Sequence, residues 1–226
     1  MHRKVLGASL LMVSLSVQAA DAPPLDSAPR QASYWMGYSS GVQIMQQFGP
    51  VADPDAVRAG LADALAGTKP RVNQADLQPA FQQVRELLEK KTSERMSVNK
   101  AEGDKFRQQN SARPGVTTTA SGLQYEVLKA GSGAKPTATQ RVKTHYHGQL
   151  IDGAVFDSSV ERGEPVTFPV TGVIKGWVEA LQMMPVGSKW RLVLPPELAY
   201  GEKGAPPDIP PGATLVFEVE LLGIEP

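Results

Sequence analysis

Val173-Ile174-Lys175-Gly176-Trp177 decides how this chain is read. It opens a short helical run, Gly176 to Gln182, in which Trp177 and Leu181 fall one turn apart. From Tyr146 to Phe217, large apolar or aromatic residues recur beside single polar ones. Phe156 precedes Asp157, Ala199-Tyr200-Gly201 follows an apolar run and two prolines, and Ile209-Pro210-Pro211-Gly212 leads into a last apolar run. No cysteine, paired carboxylate, phosphate loop or serine elbow competes with this set. Such residues can enclose a small apolar ring and touch it with a few hydrogen-bonding groups. They include no obvious nucleophile, which points to binding or to a reaction that breaks no covalent bond.

On both sides of that centre the hydrophobic period is two. Leu123, Tyr125 and Val127 form one run, and Val142, Thr144, Tyr146 and Gly148 a second. Val166, Phe168 and Val170 make a third, Trp190, Leu192 and Leu194 a fourth, and Leu215, Phe217, Val219 and Leu221 a fifth. Alternation of this kind predicts an antiparallel sheet with one apolar face and one wet face. The apolar face must be covered, and the helix at Trp177 is the only candidate in this half, with its indole turned into the concavity.

The first half is helical in pattern. Tyr34, Met36, Tyr38, Val42, Met45 and Phe48 mark an amphipathic helix that Gly49-Pro50 stops. Gly37 and Gly41, four apart, leave one face bare, so that a second helix can come close. Asp53-Pro54 starts a second helix with a Val57, Leu61, Leu65 stripe. A third begins between Asn73 and Pro79; Phe81, Val84, Leu87 and Leu88 mark its apolar face. Beyond Lys91 it turns polar all round, as a solvent-bridging stalk does, and Gly103 weakens it. Three helices rich in Met, Gln and Ala make a small core, which a second copy of the same segment would complete. Ser111 to Ser121, with Pro114-Gly115 and a threonine run, reads as a linker.

Composition narrows the function. The chain has 226 residues, with Lys+Arg 23 against Asp+Glu 23, so no basic surplus calls for nucleic acid. Met1-His2-Arg3-Lys4, an apolar run to Val17 and Gln18-Ala19-Ala20 follow the order of a cleaved secretory signal. The apolar run falls short of the ~20 residues of a membrane span. Asp21 to Pro29 reads as a disordered leader, and Cys 0 excludes both a lipidation cysteine and disulfides. His145 and His147 share a strand face, but the only other histidine is His2 and there is no cysteine, so no metal is expected.

Gly122-Leu123-Gln124-Tyr125, Tyr146-His147-Gly148, Phe156-Asp157-Ser158-Ser159, Val173-Ile174-Lys175-Gly176-Trp177, Pro196-Glu197-Leu198-Ala199-Tyr200-Gly201 and Ile209 to Phe217 follow one another as in the FKBP family of macrolide-binding peptidyl-prolyl cis-trans isomerases. The resemblance covers about residues 120 to 226. The preceding helices resemble, more weakly, the dimerisation domain and stalk of exported bacterial members, the macrophage infectivity potentiator and FkpA types.

The resemblance implies an α+β chain in which an all-α dimerisation domain and long stalk helix precede an antiparallel β half-barrel wrapped on one short α-helix. The expected segments are a signal at 1–20, helices at 21–110, a linker at 111–121 and the isomerase domain at 122–226. It implies Trp177 as the pocket floor, Tyr146, Phe156, Val173, Ile174, Phe168 and Phe217 as walls, and Asp157 and Tyr200 as polar groups. Ile209 belongs to an overhanging loop, Arg162 orients Asp157, and the Ile174 backbone N–H donates to a ligand carbonyl. Val166 stands where many members carry an aromatic, which thins one wall. The implied substrates are X-Pro bonds in exported, periplasmic polypeptides, with no cofactor, with macrolides as a further ligand class and with a homodimer built through the N-terminal helices. A second reading is a dimeric holding chaperone or host-interaction factor whose pocket serves mainly for binding.

Overall fold

The computed structural model describes residues 23–49 and 51–225; the expected signal sequence lies outside them. By its contacts the chain divides into two compact units, one reaching to Ile44 and the other running from Met45 to the C-terminus. Among the described residues four α-helices and seven strands follow in the order α1 (Ala28–Phe48), α2 (Pro54–Leu65), α3 (Gln74–Ser111), β1 (Val116–Thr118), β2 (Gln124–Lys129), β3 (Arg141–Leu150), β4 (Val155–Ser158), β5 (Val166–Pro169), α4 (Lys175–Met183), β6 (Lys189–Leu194) and β7 (Leu215–Glu225).

The helices start where the local chemistry says they should. Asp53 caps α2 by accepting from the N–H groups of Asp55 and Ala56, and Pro54 occupies its first turn. Helix α3 begins at Gln74, so Pro79 lies inside it, where the ring leaves one intrahelical hydrogen bond unmade. At 38 residues α3 is about 57 Å long. Neither α1 nor α2 buries a single residue. On α1, Tyr34, Trp35 and Met36 stay 56%, 64% and 66% exposed.

The strands form one antiparallel sheet in the order β1-β2-β6-β7-β3-β4, with β5 added to β3. Its concave face carries Leu192, Leu194, Leu215, Val219 and Leu221, and α4 lays Trp177, Ala180 and Leu181 against them. The expected short helix and sheet are therefore both present. Two details differ from expectation. The stretch read as a linker contains β1, which pairs with β2. The face expected to be wet is closed at one corner, where Gln124, Val193 and Val216 stand in register across β2, β6 and β7 and all are buried.

Helix α3 reaches that corner. Gln124 Nε2 donates to the Arg107 carbonyl and Oε1 accepts from Asn110 Nδ2. Arg191 and Arg113 both donate to Asn110 Oδ1. The residue read as the weak point of the helix, Gly103, is buried, because a Cβ there would run into the Thr214 side chain. Its lack of a side chain lets the helix lie this close.

Candidate functional site

Strand register builds the site. On the concave face Leu192 of β6 stands opposite Phe217 of β7, Phe217 opposite Gly148 of β3, and Gly148 opposite Asp157 of β4. Gly148 matters here: a Cβ at that position would lie 2.8 Å from the rings of both Phe156 and Phe217. With hydrogen in its place, the two rings meet edge to face, 5.5 Å apart at 84°. Gly176 plays a similar part for α4, whose first turn packs directly on the Leu194 side chain.

Trp177 lies at the base, 4% exposed. Tyr146 and Phe217 each stand edge-on to its indole at 5.3 Å and 81°, and Phe168 at 5.7 Å and 69°. These are the offset and T-shaped arrangements that aromatic quadrupoles favour. Its indole N–H is also buried and has no acceptor among the described residues. Above the indole is a cavity of about 660 Å³, lined by Tyr146, Phe156, Asp157, Phe168, Val173, Ile174, Trp177, Tyr200, Ile209 and Phe217, and also by Gly172, Ala205, Pro206 and Asp208.

The polar groups are few and tied together. The Tyr146 hydroxyl donates to Asp157 Oδ2 at 2.5 Å. Arg162 donates to Asp157 Oδ1 and, at 2.9 Å, to the Tyr146 oxygen, with its guanidinium 5.7 Å from that ring's centroid. Burial alone would raise the Asp157 pKa, but the Tyr146 phenol and the Arg162 guanidinium outweigh it and hold the carboxyl below the ordinary carboxylate range. Burial, followed by the hydrogen bond to Asp157, pushes the Tyr146 phenol up. At neutral pH the pair is therefore a phenol and a carboxylate. The Ile174 N–H, at the head of α4, has no backbone or side-chain acceptor among the described residues.

Eleven of the twelve expected site residues thus gather here, Arg162 through Asp157 rather than in the lining. Val166 does not. It pairs with Thr144 in the β5–β3 ladder, and Phe168, two residues on, is the β5 residue that lines the cavity. Gly172 was not singled out; it carries no functional group, and only the short turn ahead of α4 brings it to the cavity.

An open, mostly apolar hollow with one carboxylate restrained at its wall suits the binding of a small apolar ring. Two family profiles match: FKBP-type peptidyl-prolyl cis-trans isomerase over residues 132–222, and the domain amino-terminal to such isomerases over residues 29–127. An FKBP-type 22 kDa peptidyl-prolyl cis-trans isomerase of Escherichia coli K12 is 50% identical over 202 residues, 89% of this chain and 98% of that protein. The peptidyl-prolyl cis-trans isomerase Mip of Coxiella burnetii is 38% identical over 233 residues, 100% of this chain and 99% of that one. The crystal structure of FkpA from Escherichia coli aligns with a TM-score of 0.65 at 36% identity, covering 89% of this chain and 98% of that chain. The chain belongs to the FKBP-type peptidyl-prolyl cis-trans isomerases, and its activity is theirs.

Proposed function

We propose that the prolyl ring of a client enters the cavity with its face toward the Trp177 indole, and that the enclosure itself speeds rotation about the X-Pro bond. The arrangement of three rings edge-on to one buried indole carries this reading. Peptide resonance sets a barrier of ~18–20 kcal/mol, and uncatalysed X-Pro exchange takes tens to hundreds of seconds. At the barrier top resonance is lost and the nitrogen regains its lone pair. That state is less charge-separated than the planar imide, so a dry hydrocarbon hollow favours it relative to water.

A 10⁴-fold acceleration requires about 5.5 kcal/mol of preference for the twisted state. Burying the ring contributes about 1.5–3 kcal/mol, but ground state and transition state share it, so it sets affinity. The rate comes from desolvation of the imide and from groups that hold its flanks: the Ile174 N–H toward a client carbonyl, Tyr200 at the mouth, and Asp157 fixed by Tyr146 and Arg162. Arg162 is a positioning residue. Exchange rates of an X-Pro peptide with wild-type, Asp157→Ala and Tyr200→Phe proteins test this; three identical rates would defeat it.

A second observation favours a two-site assembly. Helix α1 buries nothing, presents Tyr34, Trp35, Met36 and Tyr38 together, and has open space over Gly37 and Gly41. This apolar surface is what a second copy would cover. Two cavities on one dimer would hold a client chain through effective concentration, which adds a holding-chaperone function to the isomerase. Sedimentation of the full chain beside Trp35→Glu checks this: a dimer that becomes a monomer supports it, and a monomeric wild type ends it. The basic, apolar and small-residue order of Met1 to Ala20 supports export and clients in the periplasm; no described helix is long and apolar enough to cross a membrane.

A further inference from the structure

We propose that Asn99 and Lys100 of α3 are positioning residues for the cavity, because they grip both limbs of the loop that overhangs it. This rests on the cavity being where the prolyl substrate binds. The loop, residues 201–212, supplies Ala205, Pro206, Asp208 and Ile209 to the lining. It is closed on itself by paired Ala205 and Ile209 backbone bonds of 2.8 and 3.0 Å and, at its base, by the Gly212 N–H donating to the Gly201 carbonyl at 3.0 Å. Nothing within these bonds fixes the loop's distance from the cavity floor.

Helix α3 does. Asn99 Nδ2 donates to the Pro211 carbonyl at 2.7 Å on the returning limb. Lys100 Nζ meets Glu202 Oε1 at 2.9 Å on the outgoing limb. Between them Gly212, at φ 70°, presses on Met96 and Lys100, so that a Cβ would lie 3.0–3.2 Å from their side chains. Met96, Asn99, Lys100, Gly103, Arg107 and Asn110 recur at helical spacing, and this is the face of α3 turned to the sheet domain. The lower part of the stripe docks on the sheet, whereas the hydrogen bonds of Asn99 and Lys100 across to the sheet domain go to the overhanging loop. The Lys100–Glu202 pair is exposed and screened, so Asn99 is the more important of the two.

The test uses the full chain and steady-state kinetics on an X-Pro peptide with four variants: Asn99→Ala, Ile209→Ala, their combination, and Asn110→Ala as a docking control. Alanine favours helix over asparagine, so Asn99→Ala leaves α3 intact and removes only the grip. The expected result is a KM raised roughly three- to ten-fold in Asn99→Ala, as loss of one partly buried hydrogen bond implies, with kcat within about two-fold. In the double variant the two effects are expected to combine less than multiplicatively, the mark of a shared route. Asn110→Ala is expected to lower the unfolding temperature and leave KM alone. An unchanged KM in Asn99→Ala beside a raised one in Ile209→Ala would overturn the grip and spare the cavity. Equal KM increases in Asn99→Ala and Asn110→Ala would overturn it as mere docking, as would full multiplicativity. No effect of Ile209→Ala would remove the substrate site and the grip with it.

Discussion

Tyr146 on β3 donates its phenolic proton to Asp157 on β4 at 2.5 Å, while Arg162 binds the other carboxylate oxygen. A carboxyl whose pKa is depressed in the folded protein makes its contribution in full above the unfolded value of about 3.9 and loses it as pH falls through the lower, folded value. The midpoint of the acid limb of kcat/KM is therefore expected below about pH 4. Arg162→Gln removes a donor and a charge, so the Asp157 pKa rises and the acid limb moves to higher pH. A pH series on both proteins checks this, and superimposable acid limbs would contradict it.

Gly148→Ala is expected to damage both stability and rate. The added methyl would sit 2.8 Å from the Phe156 and Phe217 rings, which are walls of the cavity and cannot both retreat. Overpacking of this kind costs about 1–3 kcal/mol. Thermal unfolding and kcat/KM measured together should fall in step; a variant as stable and as fast as wild type would show that the rings are not held by this contact.

Gly103→Ala separates two views of the long helix. In an exposed helix interior the change would stabilise by ~1 kcal/mol. Here the new Cβ would collide with Thr214, whose hydroxyl already accepts from Arg107. A loss of about 1–2 kcal/mol is expected instead, of the size overpacking produces. Denaturant unfolding reads the sign directly, and a gain in stability would mean that α3 does not dock at this point.

These sites explain what was legible in the sequence and what was not. Alternation announced β2, β3, β5, β6 and β7; in β3, β6 and β7 the apolar positions are the buried ones along much of the strand, whereas in β2 Gln124 is buried and Val127 exposed, and β5 buries no residue. It was silent on β4, four residues reading Val-Phe-Asp-Ser, in which both Phe156 and Asp157 line the cavity. The docking face of α3 was hidden for a different reason. Asn99, Lys100, Gly103, Arg107 and Asn110 carry no hydrophobic signal; Gly103 packs on Thr214, and the other four hydrogen-bond to partners 14 to 112 residues away. A helix polar all round reads as a free stalk; only the fold reveals that its polar groups are matched. Val166 was taken over from a family position; in β5 it is Phe168, two residues on, that lines the cavity.

The central claim is that exclusion of water by the cavity walls lowers the barrier to X-Pro rotation. It is tested most directly by NMR exchange rates of an X-Pro peptide in the presence of wild-type protein and of Phe156→Ala, a half-buried wall whose removal admits water without touching Asp157 or the Trp177 floor. With the fold verified by its unfolding temperature, the account predicts a fall in kcat of about ten-fold, which is ~1.4 kcal/mol of lost transition-state preference. An undiminished kcat with that wall opened would contradict it.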